Sequence, residues 1–137
     1  MSSFTTEEIS YLQSQRLGRL ATVDAAGNPD VVPVGFRYHP DLDSIDIGGL
    51  DIAQSKKWRD IVATGRAAFV VDDLISVDPW QPRMLEIRGR AETLSTGGKE
   101  ILPKFADEVI RLFPKRITGF GINSGAPGST VTSRTVD

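Results

Sequence analysis

Lys56, Lys57 and Arg59 fall within five residues, directly after Ser55, and Arg66 follows. These side chains are suited to holding an anion. Arg offers a planar fork of donors, Lys a point charge, and Ser a hydroxyl. The segment follows a β-like run and opens a short helical pattern. A strand feeding a cationic helix start is a place for a phosphate, because the dipole and free amides of the helix favour negative charge there. Lys-Lys alone is more often a solvated charge run, so the surrounding elements must decide.

Other chemistry is sparse. The 137 residues contain no cysteine, which removes disulfides and thiolate sites. The single histidine, His39, stands in a polar stretch and reads as solvated. No Ser/His/Asp set or paired carboxylates stand out, which suits chemistry carried by a cofactor. A formal net charge of −2 argues against a nucleic-acid partner. No run of 18 apolar residues and no basic-then-apolar leader occurs, so no membrane partner and a cytoplasmic location are expected.

The elements that must position the cations follow from periodicity. Thr5 and Glu8 have capping-box spacing for a helix over 5–15, with Ile9 and Leu12 on its apolar stripe. LGRLATV (17–23) and DVVPVGFRY (30–38) alternate as strands around the turn 24–29 and predict a hairpin. Pro33 has no N–H for a ladder, so it predicts an edge position. Gly35 beside it allows close approach. That edge is either a plain bulge or a strand laid against a flat ring. SIDIGGL (44–50) predicts a third strand. Residues 53–64 predict a helix with Trp58, Ile61 and Val62 on one face and Gly65 as C-cap. AAFVVDDL (67–74) and RMLEIRGRAETL (83–94) predict two further strands, with Arg88 and Arg90 on the solvated face of the second. A short helix is expected at 99–106, and a last strand at 116–122 after Pro114 ends the preceding run. Residues 108–113 fit helix or strand. Residues 123–137 are rich in Gly, Ser and Thr and bury little, which predicts a tail that is loose or folds over a partner. The whole predicts a mainly β fold, a small antiparallel barrel plugged by short helices, as a barrel domain over 1–122 and a tail over 123–137.

The ordered strings GRLATV, VVPVGF, IDIGGLD, KKWRD, AAFVVDD, DPWQPR and EIRGRAETL resemble the pyridoxamine 5′-phosphate oxidase-like split β-barrel family. More narrowly they resemble its actinobacterial members that use the deazaflavin coenzyme F420. The likeness covers about residues 5–122, and its most specific element is Lys57-x-Arg59 followed by Arg66-Ala67. It implies a split β-barrel of six to seven antiparallel strands, with 108–113 as strand. It also implies a homodimer with cofactor sites at the subunit interface. Lys57 and Arg59 would meet the cofactor phosphate, with Lys56 and Ser55 as neighbours. Val32, Pro33 and Val34 would lie beside the ring. Arg83 and Met84 would meet the cofactor from the opposite strand, and Trp80 would cover ring or substrate from the partner subunit. Phe120 stands near a position where the subgroup often carries Trp. The implied reaction is hydride transfer between F420 and an unsaturated organic small molecule. An FMN enzyme of the same fold and a non-enzymatic flavin or deazaflavin carrier fit the same strings. A haem-binding barrel is more remote, because His39 is the lone imidazole.

Overall fold

The computed structural model describes residues 1–125 and 130–136. The order is α1 (Thr6–Ser14), β1 (Leu17–Val23), β2 (Pro29–His39), β3 (Ser44–Gly48), α2 (Lys56–Thr64), β4 (Arg66–Ser76), β5 (Gln81–Leu94), β6 (Val109–Phe120) and β7 (Val131–Thr135). The strands form one antiparallel sheet in the order β3-β2-β1-β4-β5-β6-β7, and an added β3–β6 pairing closes six of them into a barrel. The two ladders of β6 divide its length. Ile110–Leu112 pairs with β3, and Arg116–Phe120 pairs with β7. This is a split β-barrel, as expected.

Alternation builds the core. Leu20, Phe69, Val71, Leu85, Ile87 and Ile117 point inward from neighbouring strands and are all but excluded from water. Ile45, Ile47, Ile110 and Leu112 line the β3–β6 seam. Tyr11 and Leu12 of α1 and Ile61 of α2 pack on this cluster.

The helix ends follow their sequence signals. Thr5 Oγ1 accepts from the Glu8 amide at 3.0 Å, and Glu8 Oε1 accepts from the Thr5 amide at 2.9 Å, which completes the capping box. Gly65 ends α2 in the left-handed region at φ 71°, where a Cβ would strain the backbone.

Four features differ from the sequence expectation. Val62 is 66% exposed rather than on the covered face of α2. The helix is turned so that Asp60 faces β1, because Thr22 and Lys56 both satisfy its carboxylate. Residues 99–106 do not form a helix. A single 3-10 turn, Gly98–Glu100, stands there, and Pro103 follows it too closely for extension. β6 runs through Pro114 instead of breaking. Its register shifts there so that Arg88 faces Arg116 while Gly89 faces Pro114, and the bulge accommodates the missing N–H. Finally, residues 131–135 form β7. Residues 126–129 and 137 of the tail lie outside the described residues.

Candidate functional site

α2 presents its first turn at the end of a 3-10 turn, Ile52–Gln54, with Ser55 as N-cap. The Ser55 hydroxyl accepts from the Trp58 amide at 3.3 Å and donates to the Ile52 carbonyl at 2.6 Å. Its proton is committed to the backbone, so Ser55 shapes the turn. Lys56 Nζ bonds Asp60 Oδ2 at 2.8 Å, and Thr22 Oγ1 donates to the same oxygen at 2.7 Å. The Lys56 ammonium holds the Asp60 carboxyl below the usual carboxylate range, and Asp60 raises Lys56 in return. Lys56 is therefore an internal counter-ion that fixes α2 against β1.

Lys57 and Arg59 remain. Lys57 is half-buried and makes no hydrogen bond or ion pair among the described residues. Arg59 is exposed and gives Nη1 to the Gln54 carbonyl at 3.0 Å, with the rest of its fork unengaged among the described residues. A cation parked at a helix N-terminus works against the dipole unless an anion is shared there. Of the three clustered cations, these two are the pair available to a ligand.

The expected ring-side strand has a one-sided ladder. β2 pairs with β1 from Pro29 to Gly35, but its pairing with β3 begins only at Gly35–Gly48. Among the described residues, 29–34 are thus a free edge, and Pro33 stands in it as its missing N–H requires. Pro33 and Val31 point outward, whereas Val34 is 4% exposed and Val32 packs on the core. Val34 can meet a ligand only through its backbone, whereas Val32 is half-buried.

A third group forms at the β4–β5 hairpin. Trp80 is 67% exposed and joins Pro82, Arg83, Met84 and Phe120 around a cleft of about 720 Å³. Arg83 is clamped within it. Its Nε and Nη2 donate to Asp73 at 2.9 and 2.7 Å, Tyr11 donates to the same carboxylate at 2.8 Å, and the guanidinium lies 4.8 Å from the Tyr11 ring centre. The Arg83 bond holds the Asp73 carboxyl low, while burial and Asp73 push the Tyr11 hydroxyl up. Phe120 and Tyr11 were not assigned to a site by sequence. Phe120 carried a faint signal, its place near a position where the subgroup often carries Trp, and the fold pairs it directly with Met84. Tyr11 carried none, because only the fold brings it to Arg83.

The structure therefore gathers Trp80, Arg83 and Met84 into one cleft and Lys57 and Arg59 onto one helix start. None of the five cavities described among these residues is lined by members of both groups. The free β2 edge is a third, adjacent feature. Pro33 is opposite Arg19 in the ladder, and Arg19 reaches Asp72 at 3.3 Å on the rim of the Trp80 cleft.

A closed six-stranded barrel with an outlying strand defines a split β-barrel, here with a cationic helix start. The family model for pyridoxamine 5′-phosphate oxidase matches residues 5–128, and the chain belongs to that family. A relative from Streptomyces rimosus, a 5a,11a-dehydrotetracycline/5a,11a-dehydrooxytetracycline reductase, is 47% identical over 119 residues, which cover 87% of this chain and 84% of the relative. Among solved structures, the FAD binding protein from Mycobacterium smegmatis has a TM-score of 0.62 at 20% identity, covering 87% of this chain and 96% of that one. A heme binding protein from the same organism has a TM-score of 0.67 at 17% identity. It covers 98% of this chain, which spans only 60% of that protein's length. These two share the fold. No helix among the described residues is long and apolar enough to cross a membrane.

Proposed function

We propose that this protein is an F420-dependent oxidoreductase that transfers a hydride between the deazaflavin and an unsaturated organic small molecule. The observation that carries this reading is Lys57, a half-buried cation with no partner among the described residues at the start of a capped helix. The reductase name of the 47% identical relative supports the reaction class and suggests a conjugated, polycyclic substrate. The residues fit such a cofactor. Lys57 and Arg59 offer a point charge and a fork to its phosphate, and the free edge at 29–34 is open for the flat ring.

Reduced deazaflavin supplies the hydride when bound. The chain's own share is placement and exclusion of water. Lys57 and Arg59 anchor the phosphate end. Pro33 and the β2 backbone flank the ring. Trp80, Met84 and Phe120 form an apolar wall for the substrate, with Arg83 held rigid by Asp73 and Tyr11. Because the clamp and this wall do not share a cavity in one subunit, the reading includes a homodimer in which one copy's Trp80 cleft faces its partner's Lys57. It also carries a cytoplasmic location. The protonation of the substrate falls to solvent.

FMN is the competing cofactor, favoured by the shared fold of the FAD binding protein. Parallel titrations with F420 and FMN, read by cofactor fluorescence, decide between them. The expected outcome is saturable F420 binding at two sites per dimer, followed by F420-linked reduction of 5a,11a-dehydrotetracycline or a similar enone. A yellow protein that retains FMN overturns the deazaflavin assignment. Tight F420 binding without turnover across a panel of enones makes the protein a carrier.

A further inference from the structure

The outer face of the sheet carries a second cationic feature. The ladders align one outward row across it: Val31, Ala21, Ala68, Arg88, Arg116 and Thr135. Arg88 and Arg116 are direct cross-strand partners, and one step along the sheet Arg66 is opposite Arg90. Like charges directly opposite each other destabilise a sheet, and here two such pairs are adjacent. Arg88 and Arg90 reach Glu86 and Glu92 on their own strand at 3.2 and 3.3 Å, while among the described residues Arg116 reaches only the neutral hydroxyl of Thr135. Arg66 and Lys115 have no carboxylate partner among the described residues.

Between these cations runs an open groove of about 460 Å³. Arg66, Arg88, Lys115 and Arg116 line it, no acidic residue among those described does, and its floor rests on Ala21 and Ala68, with Thr22, Val23 and the backbone at Ala67 and Gly89 completing it. Gly89 cannot be larger, since a Cβ there would stand 1.9 Å from the Phe113 carbonyl oxygen. The small side chains make a flat apolar floor, and the bulge at Pro114 brings Lys115 to its rim. Such an accumulation is not compositional, because the chain as a whole is slightly acidic. None of Lys57, Arg59, Arg83 or Trp80 lines this groove.

We infer that this groove is a second ligand site, for a small organic polyanion with a flat apolar body and two or more carboxylate or phosphate groups. The floor takes the flat body by apolar contact. The four rim cations take the anionic groups through charge-assisted hydrogen bonds, which also relieves the Arg88–Arg116 repulsion.

Isothermal titration of the intact protein at low salt tests this, with benzene-1,3,5-tricarboxylate as the flat polyanion and pyrophosphate as a polyanion without a flat body. The tricarboxylate is expected to bind, more tightly than pyrophosphate, and to weaken as salt rises. Arg116→Gln is expected to weaken it about tenfold, the loss of one charge-assisted partner. Ala68→Trp, which fills the floor and leaves every cation in place, is expected to abolish it. Lys57→Ala is expected to leave it unchanged, so this site and the proposed F420 site fail independently. No tricarboxylate binding by the folded protein overturns the inference, as does binding indifferent to both Arg116→Gln and Ala68→Trp. A structure of the homodimer in which the partner subunit covers the groove also overturns it.

Discussion

Glu8 on α1 and Arg134 on β7 are 126 residues apart in sequence and form a bonded ion pair: Arg134 Nη1 donates to Glu8 Oε2 at 3.0 Å, and Nη2 bonds Oε1. The Glu8 side chain is fully buried and Arg134 is 35% exposed. Asn123 adds a bond to Glu8 Oε2 at 3.0 Å, and Arg134 also donates to the Ser3 carbonyl at 2.7 Å. Burial pushes the Glu8 carboxyl up, but the bonds from Arg134, Asn123 and the Thr5 amide prevail and hold it below its ordinary value.

This pair sets an acid limit on stability. A carboxyl lowered in the folded state stabilises above its unfolded value, near 4.5, and that stability is lost as pH falls through the folded value. Arg134→Ala strands a buried carboxylate and is expected to cost about 3 kcal/mol at neutral pH. Glu8→Gln is expected to cost about 2 kcal/mol, because the partly exposed Arg134 recovers solvent. Urea denaturation across pH checks both. The gap between the two variants should close at acid pH, where Glu8 is protonated and no buried charge is left to strand.

Lys56 and Lys57 should part company. Lys57→Ala is expected to weaken F420 binding about tenfold to a hundredfold, the loss of a charge-assisted bond to phosphate, with the fold intact. Lys56→Ala should leave affinity nearly unchanged and instead raise the Asp60 carboxyl, which is read by NMR titration. Equal losses of affinity in the two variants would contradict the assignment of Lys56 to Asp60.

The reading of these neighbours shows what was legible. The hairpin 17–38, the capping box, the Gly65 cap and the alternation of β5 are local patterns, and each is present in the fold. β7 was not legible. Its half-buried face is Thr132 and Arg134, too polar for a hydrophobic signal, and it is held by ladder bonds to β6 and by Arg134. Lys56–Asp60 has i,i+4 spacing, but the second half of that interaction, Thr22, arrives from β1. Proximity of the two lysines in sequence concealed that only one is free of an internal partner among the described residues.

Tyr11→Phe probes the Arg83 clamp. It removes one bond to Asp73 while Arg83 keeps two, so the expected cost is about 1 kcal/mol by chemical denaturation. The larger effect is expected on turnover, because Asp73 loses one of the bonds that orient it under Arg83 beside the Trp80 cleft. A lower kcat with unchanged F420 affinity is the signature of that role.

Gly89→Ala tests the bulge. The new methyl would overlap the Phe113 carbonyl, a rigid backbone atom, so β5 or β6 must shift. The expected loss is about 3 kcal/mol, read by chemical denaturation. Ala68→Gly, on the neighbouring strand β4, should cost far less.

The Ser3–Arg134 contact has a consequence for topology engineering. It places the first and last stretches of the described chain at one corner of the barrel. A short linker spanning that corner would close the polypeptide into a ring. Fresh ends cut into the exposed Asp24–Asn28 turn would then give a circular permutant whose first helix and last strand are covalently consecutive, a rearrangement that surface-turn openings usually tolerate.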